Sequence, residues 1–79
     1  MTDQHIIAGM HSVRTALKHG SAGVSAVWVE ASRRDKKIRE IIALAKGAGV
    51  ALHQVERAEL DVKVPGVNHQ GAVAQVAVP

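Results

Sequence analysis

Seventy-nine residues make room for one hydrophobic core, and a single domain spanning 1–79 is expected. At 47% hydrophobic the chain is too apolar to stay disordered, and with no cysteine it has neither a disulfide framework nor a thiolate metal site. The formal net charge is +3, and five of the ten Lys and Arg side chains fall between Arg33 and Arg39, which points to a polyanionic partner.

No apolar run approaches the length of a membrane span, and Met1–His5 lacks the basic-then-apolar layout of a signal peptide. A soluble, cytoplasmic protein without membrane association is expected. His5–Ala8 predicts a short strand, stopped by Gly9. Val13, Ala16 and Leu17 recur at i, i+3 and i+4, predicting a helix capped by Ser12 or His11 and ended by Gly20. Ser21–Gly23 reads as a loop. Val24–Val29 predicts a second strand, apolar on both faces, and Trp28, the only aromatic residue, is expected in the core.

Ile38, Ile41, Ile42 and Ala45 build the clearest helical stripe of the chain. Ser32 is the expected N-cap, with Asp35 three residues on as a capping-box variant, and Gly47 and Gly49 end the helix. Val50–Val55 predicts a third strand, and Arg57–Asp61 one short helical turn before the turn signal Val64-Pro65-Gly66. In the last run, Ala72–Val78, only Gln75 is polar, so this strand is expected to be covered on both sides and therefore central. Strands separated by helices imply parallel pairing with right-handed crossovers, giving an α/β sandwich of about four strands with helices on both faces.

Much chemistry is excluded. The five histidines, at 5, 11, 19, 53 and 69, include no i, i+4 pair, so no metal site is expected. Gly47-Ala48-Gly49-Val50 follows a helix and precedes a strand, the reverse of a dinucleotide-binding turn. There is no nucleophile elbow and no phosphate-binding loop, so no catalytic residue is assigned. Glu56, Glu59 and Asp61 read as a solvated helix face.

Three segments carry binding chemistry, each beside a plainer reading. Gly9-Met10-His11-Ser12 is a strand-to-helix turn, either an anion site at a helix start or an ordinary cap. Ser32-Arg33-Arg34-Asp35-Lys36-Lys37 places cations against a helix dipole, either for phosphate contact or as a solvated face. Asn68-His69-Gln70-Gly71 offers amides for base edges and a histidine for phosphate, or is a polar turn in which Gly71 supplies an unusual backbone angle.

Taken together, Gly9-Met10-His11-Ser12-Val13 with Leu17, then Val27-Trp28-Val29, Arg34-Asp35-Lys36-Lys37 and the closing His69-Gln70-Gly71 resemble one family. They are similar to the N-terminal substrate-binding domain of SpoU-type (TrmH-like) RNA ribose methyltransferases, bacterial enzymes that methylate a guanosine ribose 2′-hydroxyl in large-subunit ribosomal RNA. The resemblance implies an L30e-like three-layer sandwich, with about three helices around a mixed four-stranded sheet. Its last strand would run antiparallel between the first two, bringing the three segments to one sheet edge. On that surface Arg33, Arg34, Lys36 and Lys37 would contact phosphates of ribosomal RNA, and His11, Arg14, His69 and Gln70 would orient it. Gly9 and Gly71 would be structural glycines.

The resemblance also implies a separate knotted catalytic domain that binds S-adenosylmethionine and forms a homodimer. The cofactor is then expected there and not in this chain, which alone would be a monomer without enzymatic activity. Two other functions remain open: a protein-docking module for the catalytic domain or a ribosome-assembly partner, and a small-ligand site at the sheet edge.

Overall fold

Two stripes of aliphatic side chains decide the architecture. The computed structural model describes residues 3–20 and 23–78. In α1 (Met10–Gly20) the buried stripe is Met10, Val13 and Leu17; in α2 (Lys36–Ala48) it is Ile38, Ile41 and Ala45. Both pack on one face of a sheet, against Val24, Val27 and Val29 of β2 (Val24–Glu30) and Ala72 and Ala74 of β4 (Ala72–Val78). The other face is covered by α3 (Arg57–Lys63), where Leu60 and the following Val64 bury against Val73. Helices on both faces of one sheet make the α/β three-layer sandwich that was expected.

The sheet order is β1-β4-β2-β3, with β1 at Asp3–Ala8 and β3 at Ala51–Val55. β4 lies between β1 and β2 and runs antiparallel to both, pairing Val73 with Ala8 on one side and with Trp28 on the other. β2 and β3 are parallel. Strand–helix alternation alone led to parallel pairing throughout, and for β4 that is corrected. A parallel crossover must carry the chain back along the sheet, and a seven-residue helix spans only about 10 Å. A seven-residue strand spans about 23 Å. The chain therefore enters β4 near the end where β3 finished. The mixed sheet and the antiparallel last strand implied by the family resemblance are present, and Ala72, Val73 and Ala74 are buried as a central strand requires.

Several local expectations shift. α1 starts at Met10 rather than Ser12 and includes Gly20; residues 21 and 22 of the expected loop lie outside the described residues. The N-cap of α2 is Asp35, whose carboxylate accepts the Ile38 N–H, while the Ser32 hydroxyl bonds to Glu30 instead. Gly47 lies within α2, and Gly49 ends it with φ 73, a left-handed cap that favours glycine. α3 runs about two turns rather than one. A register shift between Val24 and Ala26 lets Val24 and Val27 share a face despite their spacing.

β3 is an edge strand with no buried residue. Trp28 is also not core. It is half-buried on the α3 face, stacked on His53 with ring centroids 5.6 Å apart, and the Lys63 ammonium lies 4.0 Å from its ring centre.

Candidate functional site

β4 begins between the ends of β1 and β2, and the backbone there is pinned to both. The Gly9 N–H donates to the Ala72 carbonyl at 3.0 Å, and the Glu30 N–H to the Gly71 carbonyl at 2.9 Å. Residues 68–71 thereby lie beside the starts of α1 and α2, so segments 9–12, 32–37 and 68–71 meet at one edge of the sheet.

Gln70 joins them. Its φ of 54 puts a non-glycine residue in the left-handed region, a strained conformation that the surroundings must hold. Its side-chain Oε1 accepts the Met10 N–H at 3.3 Å, and its main-chain carbonyl accepts a hydrogen bond from Arg33 Nη1. Arg33 Nη2 also pairs with Asp35 Oδ2 at 2.8 Å, and Asp35 in turn caps α2. One residue of the β4 approach is thus bonded to both helix starts. Arg33 is an internal strut of this frame.

Gly71 is needed there for two reasons. Its φ is 86, and a Cβ on it would stand 2.7 Å from Arg33 Cδ. Gly9, with φ 101, leaves β1 in a conformation that also favours glycine, close to the Gln70 side chain.

His69 is only 4% exposed. The Gly71 N–H donates to its Nδ1 at 2.9 Å, so in this arrangement Nδ1 is unprotonated and Nε2 carries the hydrogen. Nε2 donates it to Asp61 Oδ1 at 2.7 Å, a bond from a neutral imidazole to a carboxylate rather than an ion pair. Both nitrogens are taken. His69, expected to help orient RNA, is thereby tied to Asp61 and to the Gly71 main chain, beside Gln70. Asp61, read from the sequence as part of a solvated face, is its partner.

A cleft of about 750 Å³ opens along this edge. Of the expected residues, Arg33, Lys36, Lys37, His69 and Gln70 line it, and Gly71 forms part of its wall. Glu30, Arg57 and Asn68 line it as well. Arg57 sits on α3 and Glu30 at the end of β2, where no sequence pattern marked either. An adjoining recess of about 430 Å³ shares Met10, Lys36, Lys37 and Gln70 and adds His11, Arg14 and Glu40. Arg34 is exposed and lines neither space.

The charges divide into bonded and free. Arg14 bonds to Glu40, which also attracts Lys18 at 3.7 Å, and Arg33 is held by Asp35. Among the described residues Lys36, Lys37 and Arg57 make no ion pair. Lys36 and Lys37 sit in the first turn of α2, which contains no acidic residue, so they oppose the helix dipole with only the Asp35 cap to offset them. Desolvation alone would raise the Asp35 carboxyl, but the Arg33 hydrogen bond and charge and the Ile38 N–H together hold it below its ordinary value. Glu40 is likewise held low, chiefly by its hydrogen bond from Arg14 and against a smaller desolvation effect. Among the described residues no group of three or more His, Asp or Glu is placed to hold a metal, and no helix is long and apolar enough to cross a membrane.

The chain is a small α/β domain with cationic and amide side chains gathered at one end of its sheet. The profile of the family described as RNA 2'-O ribose methyltransferase substrate binding matches residues 6–79, and the chain belongs to that family. It is 38% identical over 74 residues to the 23S rRNA (guanosine-2'-O-)-methyltransferase RlmB of Bordetella pertussis, covering 94% of this chain and 30% of that protein. It is also 38% identical over 77 residues to the protein of the same name from Pseudomonas syringae pv. tomato, covering 98% of this chain and 30% of the relative. The match to the protein of that name from Shewanella oneidensis is 36% over 76 residues, covering 96% and 31%. The chain thus spans about 30% of the length of the curated relatives it matches.

Two outcomes follow from the geometry. Gly71→Ala is expected to lower the unfolding free energy by about 1–3 kcal/mol and to shift the Arg33 Nε resonance; an unchanged urea midpoint would contradict the close approach. The depressed Asp35 and Glu40 carboxyls contribute stability that is complete only above about pH 5, beyond both ordinary values, and is lost as pH falls through their folded values. Urea midpoints measured from pH 6 downward should therefore fall less steeply for the double variant D35N/E40Q than for the wild type.

Proposed function

We propose that this chain is the RNA-binding module of an RNA 2'-O-ribose methyltransferase. It presents large-subunit ribosomal RNA to a linked catalytic domain, and itself does no chemistry. The observation that carries the proposal is the placement of Lys36, Lys37 and Arg57, without ion-pair partners among the described residues, around a cleft that also holds the amides of Asn68 and Gln70. Cations that oppose a helix dipole and lack a partner gain most from an arriving phosphate. The amides supply donors and acceptors for base edges, which phosphate contacts alone cannot discriminate.

In this reading Lys36, Lys37 and Arg57 take phosphates inside the cleft, and Arg34 and His11 take them on its flanks. Arg14, held by Glu40, sets the wall of the adjoining recess. Arg33 holds Gln70 through its main-chain carbonyl, and His69 fixes the adjoining Gly71, leaving the Gln70 amide as a candidate base contact. The relatives are named as methyltransferases; in this reading S-adenosylmethionine and a homodimer contact belong to the linked catalytic domain, and the protein works in the cytoplasm.

The test is binding of the 79-residue chain to a fluorescent ribosomal RNA hairpin, by anisotropy, over a range of salt. K36E/K37E should weaken binding by at least tenfold and reduce the slope of log affinity against log salt by about 0.7–0.9 for each phosphate that is no longer neutralised. Unchanged affinity and slope would sink the proposal. Salt-insensitive binding to the separate catalytic domain, without RNA affinity, would make this a docking module instead.

A further inference from the structure

The cleft contains one group that a simple phosphate-binding surface would not have. Glu30, the last residue of β2, is half-buried and lines the cleft beside Arg33, Lys36, Lys37 and Arg57. Its main chain is fixed twice, its N–H bonding to the Gly71 carbonyl at 2.9 Å and its carbonyl accepting the Arg33 N–H at 3.1 Å. The carboxylate accepts one hydrogen bond, from the Ser32 hydroxyl to Oε2 at 3.3 Å. Among the described residues it makes no ion pair, although four cations line the same cleft; of these, Arg33 is engaged by Gln70 and Asp35.

A carboxylate in that position repels a bare phosphate chain. A ligand that brings hydrogen-bond donors along with its anions satisfies the carboxylate as well as the cations around it. RNA does so through its bases. Of the four bases, guanine alone offers two adjacent N–H donors on its Watson–Crick edge, N1–H and the N2 amino group, spaced to meet both oxygens of one carboxylate. Adenine and cytosine offer an amino group beside an acceptor nitrogen, and uracil one N–H between two carbonyls. A paired guanine hides this edge, so the strand must be unpaired at that base.

We propose that Glu30 is the base-reading residue of the cleft, and that it selects an unpaired guanine in a strand whose phosphates lie over Lys36 and Lys37. The inference rests on the RNA-binding reading of the same cleft and adds a determinant of specificity to it.

The experiment measures the 79-residue chain against single-stranded uridine oligonucleotides carrying one central guanosine, inosine, adenosine or cytidine. Inosine keeps N1–H and lacks the amino group. The wild type should bind the guanosine strand about tenfold more tightly than the adenosine or cytidine strand, with inosine between. Glu30→Gln should bind all four alike, and somewhat more tightly on average because a negative charge is gone. A guanine preference that survives in Glu30→Gln overturns the proposal. So does a wild type that binds all four equally, and this arm needs no folded variant. Salt-dependent binding without base preference would remove only the role of Glu30, whereas no RNA binding at all would remove the RNA-binding function with it.

Discussion

The insertion of β4 between β1 and β2 is the constraint on which the rest depends. The carbonyls of Gly71 and Ala72 accept N–H groups from the residues that end the two neighbouring strands, so the chain just before β4 must lie against the starts of both α1 and α2. The reversal follows from the shortness of α3, which does not return the chain to the far end of the sheet. Polar segments separated by up to sixty residues in sequence become one surface through that single strand placement.

Within that surface, frame and contact groups are distinct. Gln70, Arg33, Asp35, His69 and Asp61 satisfy one another, and their hydrogen bonds hold a left-handed glutamine and an obligatory glycine in place. Among the described residues, Lys36, Lys37 and Arg57 are left without ion-pair partners. A satisfied frame is rigid, and the unsatisfied charges are carried on it, which is the arrangement that keeps a binding site preorganised. The buried His69 belongs to that frame through its two bonds, to Asp61 and to the Gly71 N–H.

Much of this was legible in the sequence because it is local. The Ile38, Ile41, Ala45 stripe, the Gly49 stop and the two-sided burial of Ala72–Ala74 all follow from periodicity and backbone preference. Strand direction did not, because an apolar strand reads the same in either sense; the antiparallel β4 was reached through the family resemblance alone. The exposure of β3 and of Trp28 was hidden for a related reason, since residue type does not say whether a strand lies at an edge. Gly9, Lys36, Lys37 and Gln70 were found from motifs. Asp61, Arg57 and Glu30 were not, because each gains its role from a neighbour on a different element.

The most direct measurement is NMR mapping of the isotopically labelled chain as a ribosomal RNA hairpin is added, at low and at high salt. A single RNA-binding edge requires the largest amide shifts at residues 9–14, 33–37 and 68–71, moving together along one binding curve and shrinking as salt is raised. Shifts centred instead on Trp28, His53 and Lys63, or none at low salt, would contradict it.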